Sequence, residues 1–119
     1  MLAAVREDGD VLLERRPERG VWGGLWCLPE FESATAAADY ARRALQGAPA
    51  RPVPLAPLEH AFTHFDLVIT PLLAHCSGSA SAPDPGQTQW YRARAPARLG
   101  LPAPIRLLLG RLPVRLTGE

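Results

Sequence analysis

The sequence predicts a single small α+β domain over residues 1–119, with strands, a helix, further strands and a last helix in that order. Three observations predict it. Asp8-Gly9 separates two apolar runs near the start, as in a hairpin. "SATAAADYARRALQG", Ser33 to Gly47, carries helical spacing. Between Leu58 and Ala74 apolar and polar residues alternate with the period of a half-buried strand.

The first pair of strands is expected at residues 1–6 and 11–16, antiparallel across the Gly9 turn. "PERGVWGGLW" then holds three glycines and a proline and reads as a structured loop. "CLPEFE" offers Leu28 and Phe31, but Pro29 confines it to an edge or an irregular strand. Ser33 is placed to cap the helix, and Gly47 to stop it. Ala37, Tyr40, Ala41, Ala44 and Leu45 share one face; Asp39, Arg42, Arg43 and Gln46 take the other. "APARPVPLAP" is a stiff, extended connector. From Leu58 to Ala74 the chain reads as strand, with Phe65, Leu67 and Ile69 alternating with Asp66 and Thr70 and no turn residue to interrupt them. "HCSGSASAPDPGQ" reads as loop and "TQWYRAR" as a late strand. Pro104 marks the start of the last helix, whose buried side is Ile105, Leu108, Leu109 and Leu112.

Thirteen basic residues, all arginine, balance twelve acidic ones. A nucleic-acid binder driven by net charge is more basic than this. A nucleic-acid partner would therefore be met by a local patch, or held mainly by another part of a longer protein. Arg15, Arg16, Arg19 and Arg92 are candidate phosphate contacts. The bias to Arg, Ala, Pro and Gly reads as genome composition. Cys27 and Cys76 form no CxxC pair and no zinc spacing, which points to reduced thiols and a cytoplasmic protein. No apolar run is long enough to span a membrane, and "MLAAVREDGD" lacks the charge and apolar pattern of a signal peptide. The chain opens directly on strand-like sequence, as expected of a piece continuing from something upstream.

Motifs for catalysis are missing. "GVWGG" lacks the Lys-Ser/Thr of a phosphate loop, and there is no His-Glu-x-x-His helix. His60 and His64 are four apart, which converges on a helix but not on a strand. No metal site is expected. Hard cations on a diphosphate need several carboxylates on one helix face, and the helix offers Asp39 alone.

"HAFTHF", His60 to Phe65, is the richest stretch in chemistry. A purine in duplex DNA shows an acceptor at N7. Oxidation at C8 of guanine turns N7 into an N–H donor and adds a carbonyl acceptor. The Thr63 hydroxyl can accept from that N–H. His64 can donate to an oxygen or a phosphate, and Phe62 can wedge or pack. The same residues also read as strand core and surface. Trp22 and Trp26, flanking a glycine pair, read either as core packing or as base-stacking platforms.

"RRPERGVWGGLWCLPEF", "HAFTHFDLVITPL", "TQWYRA" and "GLPAPIRLLL", in that order, resemble the C-terminal domain of the adenine DNA glycosylase MutY. The likeness runs from Val11 to Leu109. It implies a MutT-like (Nudix) fold, a mixed β-sheet flanked by helices. It also implies recognition of 8-oxoguanine paired with adenine in duplex DNA. Adenine removal would fall to an N-terminal helical domain in cis, which carries an iron–sulfur cluster; no cofactor is expected in this chain. The family's Phe-Ser-His recognition loop, placed between strands, maps onto Phe62, Thr63 and His64, with Thr63 where Ser is common. His60 also matches a position often held by His. The competing readings are an active Nudix hydrolase on nucleoside di- or triphosphates and a purely structural interaction domain. Active hydrolases carry G-x5-E-x7-R-E-x2-E-E-x-G, and "ATAAADYARRAL" supplies no Glu after "LPEF".

Overall fold

A computed structural model describes residues 1–6, 9–19, 22–45, 52–61, 66–76, 83, 86–92 and 100–112. Eight strands and two helices lie among them: β1 (Leu2–Arg6), β2 (Asp10–Arg15), β3 (Trp26–Cys27), α1 (Ala34–Ala44), β4 (Val53–Pro54), β5 (Leu58–Ala61), β6 (Asp66–Ile69), β7 (Leu72–Cys76), β8 (Thr88–Arg92) and α2 (Ala103–Leu109). The order strands, helix, strands, helix is the one expected.

Six of the strands form one mixed sheet. β1 pairs antiparallel with β2 and parallel with β7, so that Leu2 faces Leu72 and Arg6 faces Cys76. β2 also pairs with β8 over Asp10–Glu14 and with β3 at Glu14 and Arg15. β4 closes the far edge beside β7. Its Pro54 gives no N–H to the ladder, and an edge is where a strand proline is tolerated. Among the described residues β5 and β6 pair only with each other.

Alternation sorts the side chains of the sheet onto two faces. One face carries Leu2, Ala4, Leu12, Ala74 and Cys76, covered by Ala37, Ala41 and Leu45 of α1. The other carries Ala3, Val5, Val11, Leu13, Leu73 and Tyr91, covered by Ile105, Leu108, Leu109 and Leu112 and by Ile69 of the hairpin. Sealing a leucine side chain in such a layer contributes about 2 kcal/mol from its apolar area alone. At one end of the sheet the buried Asp10 accepts from Arg6 at 2.6 Å and from Arg92 at 3.3 Å, and the Arg6 guanidinium lies 4.4 Å from the Trp90 ring centre.

α1 forms where its spacing predicts. The Ser33 hydroxyl accepts from the Ala36 N–H at 3.1 Å, and Arg42 and Arg43 sit in the last turn, where positive charge suits the helix dipole. Leu45 caps its end; the expected stop at Gly47 lies outside the described residues. Phe31 stacks obliquely on Tyr40, ring centres 5.0 Å apart, and anchors the chain entering the helix.

Three expectations are corrected. The Leu58–Ala74 stretch is not one run of strand: β5, β6 and β7 are separate, and β7 belongs to the main sheet. His75 and Cys76, expected as the start of a loop, instead complete β7 against Val5 and Arg6. Near Pro29 only Trp26 and Cys27 pair as strand. Pairing geometry, which a single strand's sequence does not carry, decided each case.

Candidate functional site

β5 and β6 make a hairpin of four cross-strand pairs, from Leu58–Ile69 at the base to Ala61–Asp66 near the tip. Glu59, Ala61, Asp66 and Val68 face solvent. Leu58 and Leu67 pack against the α2-side core, and Ile69 is buried in it. An isolated two-stranded hairpin is marginal in water, so this inner row is what holds the hairpin to the domain. The chain between Ala61 and Asp66 is Phe62, Thr63, His64 and Phe65, and these four lie outside the described residues. His60 is described: it sits on β5, half-buried, opposite Leu67.

His60 meets a residue from the other motif. Its ring centre is 6.0 Å from that of Trp22, the planes inclined at 54°. The 16–25 loop that carries Trp22 is closed by backbone hydrogen bonds. The Arg16 N–H donates to the Leu25 carbonyl at 2.8 Å, and the Gly24 N–H donates to the carbonyls of Arg16 and Pro17 at 3.2 and 3.1 Å. The Leu25 N–H donates to the Trp22 carbonyl at 3.1 Å, forming a turn. Trp22 holds φ at 59°, the left-handed region, and Gly24 holds 77°. A left-handed backbone costs a side-chain-bearing residue about 1–2 kcal/mol, so packing and the loop's hydrogen bonds must hold Trp22 there. Gly23 has no room for a Cβ, which would overlap the Glu18 carbonyl.

The charged residues near this loop are mostly engaged. Arg16 pairs with Glu30 at 2.6 Å, Arg15 with Glu18 at 3.6 Å, and Arg92 with the buried Asp10; Arg19 is exposed. Pairs at the surface contribute little and are exchangeable.

α1 adds a feature that the bare lack of glutamates does not convey. Counting the hydrolase signature from Gly24 places its first Glu at Glu30, its Arg-Glu pair at Ala38 and Asp39, and its Glu-Glu pair at Arg42 and Arg43. Those two arginines are exposed on the helix; Asp39 is paired with Arg42, and Glu30 with Arg16. Guanidiniums stand where a divalent cation needs carboxylates, so the residues present do not fit magnesium on this helix. The sequence held this signal, but it is visible only once the signature is registered on Gly24. Beside the helix start, a cleft of about 330 Å³ opens between Glu30–Ala34 and Leu67–Thr70 of the hairpin base.

His60 and His75 lie in different sheets, and among the described residues no three metal-ligating side chains cluster. The thiols belong to opposite faces of the main sheet, Cys27 to the α2 side and Cys76 to the α1 side. Burial pushes each up from 9.0 to about 11, so both are protonated and unreactive near neutrality. Burial also lowers His75, favouring its neutral form. Among the described residues no helix is long and apolar enough to cross a membrane.

A mixed sheet between two helices, with a helix after a glycine loop, is the architecture of the Nudix fold. A profile of the NUDIX domain matches residues 1–111, and the chain belongs to that family, in the form found at the C-terminus of MutY. It is 24% identical over 98 residues to an adenine DNA glycosylase of Buchnera aphidicola subsp. Schizaphis graminum (strain Sg), covering 82% of this chain but 28% of that protein. The likeness is thus to one part of a DNA-repair glycosylase. Among solved structures, a MutT NUDIX hydrolase from Burkholderia pseudomallei superposes with a TM-score of 0.62 at 22% identity, covering 94% of this chain and 95% of that one. The C-terminal domain of mouse MUTYH, crystallised in complex with human PCNA, superposes with a TM-score of 0.57 at 20% identity, covering 92% and 84%.

Proposed function

We propose that this chain is the 8-oxoguanine recognition domain of an adenine DNA glycosylase of base excision repair, without catalysis of its own. The observation that carries the reading is the β5–β6 hairpin. Among the described residues it shares no strand pairing with the main sheet, and its two paired ends, Ala61 and Asp66, flank Phe62-Thr63-His64-Phe65 in the chain. Thr63 would accept from the N7–H that oxidation creates, and undamaged guanine offers only an acceptor there. His64 would donate to an oxygen of the base or backbone, and Phe62 would pack against the base stack. His60 contributes from β5.

On this reading the partners are duplex DNA with 8-oxoguanine opposite adenine and a helical glycosylase domain in cis. Near-neutral charge limits what the chain holds by phosphate contacts alone. Joined to a glycosylase domain it would gain by effective concentration. The chain needs no cofactor; an iron–sulfur cluster belongs to the other domain. Arg42 and Arg43 speak against the hydrolase alternative, because a cation clamp on α1 would meet two fixed positive charges.

NMR titration of the chain with lesion-containing and matched undamaged duplexes tests the proposal. Larger shifts and tighter binding with the lesion, centred on residues 60–66, are expected. Equal responses to both duplexes would contradict it, as would robust magnesium-dependent turnover of nucleoside triphosphates.

A further inference from the structure

We propose that Trp22 is the residue that positions the lesion-reading hairpin. Its indole bears on His60 and fixes the angle at which β5–β6 presents the segment between Ala61 and Asp66. The inference rests on the reading of that segment as the lesion reader and adds what holds it in place.

Three observations carry it. The first is the contact, Trp22 to His60 at 6.0 Å between tilted rings, two residues before Phe62. Inclined aromatic pairs have preferred geometry, so this contact adds an orientation to the apolar packing of Leu58 and Leu67.

The second is the backbone of Trp22. A φ of 59° in so bulky a residue persists only where the surroundings over-determine it. Here they do: the Trp22 carbonyl is held by Leu25, Gly24 by Arg16 and Pro17, and Gly23 is pressed on Glu18. The Trp26 N–H in turn donates to the Gly100 carbonyl at 2.8 Å, and Trp26 pairs with Arg15 of β2. The backbone that carries the indole is thereby tied to the main sheet.

The third is the packing along the rest of β5. A cleft of about 190 Å³ runs beside it, lined by Leu58, Glu59, His60, Ala103, Pro104 and Leu107. Contact with α2 is therefore incomplete at the level of His60. The ring of Trp22 supplies the bearing that α2 leaves out.

Two substitutions separate ring from backbone. Trp22→Gly keeps the left-handed conformation at no steric cost and removes the indole; Trp22→Phe keeps an aromatic ring. Amide hydrogen exchange of the chain reads hairpin order without DNA, and titration with lesion and undamaged duplexes reads discrimination. In Trp22→Gly, exchange at Ala61 and Asp66 should quicken and discrimination should fall, each about tenfold, the change that about 1.4 kcal/mol of lost support produces. Leu12 and Leu13 amides should be unchanged, and Trp22→Phe should recover much of both losses. Wild-type exchange and discrimination in Trp22→Gly would overturn the proposal. So would faster exchange spread evenly over the sheet, which marks a general loss of stability. If Thr63→Ala leaves discrimination intact while Trp22→Gly still loosens the hairpin, the lesion reading fails and the positioning stands. If Thr63→Ala abolishes discrimination and Trp22→Gly changes nothing, the positioning fails and the reading stands.

Discussion

In the main sheet Leu2, Ala3, Ala4, Leu12 and Leu13 are wholly sealed, and neighbours along each strand are buried on opposite faces. In the β5–β6 hairpin Glu59, Ala61, Asp66 and Val68 face water, and among its described residues only Ile69 is buried. The sheet is held by two apolar layers and five strand pairings; the hairpin by one strand pair, one apolar row and the Trp22 contact. Elements that engage a ligand are drawn from the less stable end of a structure, because they must adapt. The contrast teaches where stability resides; on the proposed function, a substitution in the sheet should be read in the melting curve, and one in the hairpin in DNA binding.

The largest effect should come from the sheet. Leu12→Ala leaves a cavity between β2 and α1 and is expected to cost about 2–5 kcal/mol in denaturant unfolding. A cost below 1 kcal/mol would break the comparison, since the sheet would then be no better packed than the hairpin.

Alkaline pH should act on the same sheet. Both thiols have folded values of about 11 against 9.0 for the free group. The unfolded chain therefore loses these protons first. Stability should be intact below pH 9 and fall as pH rises toward 11, by about 2 kcal/mol for each thiol. Cys76→Ala should remove its share of that slope; an unchanged slope would show that the thiol is not the source.

A smaller effect is expected at α1. Ser33→Ala loses the bond to the Ala36 N–H and should cost about 1 kcal/mol in unfolding, without altering lesion discrimination. The smallest belongs to the hairpin's outer row. Val68 is 58% exposed, and Val68→Ala should shift stability by no more than about 0.5 kcal/mol. A cost like that of Leu12→Ala would sharpen the comparison in the opposite direction, by showing that this face is covered.

The regular part of the molecule was legible because its signals are local. Gly9 made the β1–β2 turn with φ at 92°, Ser33 capped α1, and spacing assigned Ala37, Ala41 and Leu45 to a buried face. Ile105, Leu108, Leu109 and Leu112 were likewise assigned correctly. What stayed hidden is non-local. Nothing in "HAFTHFDLVIT" marks a reversal, because a four-residue connection does not need the Asn-Gly of a two-residue turn. The parallel pairing of β1 with β7 and the short β4–β7 edge depend on segments far apart in sequence. Trp22 and Trp26 were weighed as core or stacking groups, and core packing holds for both at least in part. The contact of Trp22 with His60 joins two motifs 38 positions apart (60 less 22), and no periodicity reveals it. Of the four candidate reading residues, His60 is seen on β5, and Phe62, Thr63 and His64 lie outside the described residues.

On the proposed function, the Thr63 hydroxyl tells oxidised guanine from guanine. The most direct measurement is the ratio of affinities for 8-oxoguanine:adenine and guanine:adenine duplexes, in the wild-type chain and in Thr63→Ala. Loss of one hydrogen bond should cut that ratio about five- to tenfold while unfolding stability stays within about 0.5 kcal/mol, and Thr63→Ser should retain it. An unchanged ratio in Thr63→Ala, with the protein folded, would contradict the account.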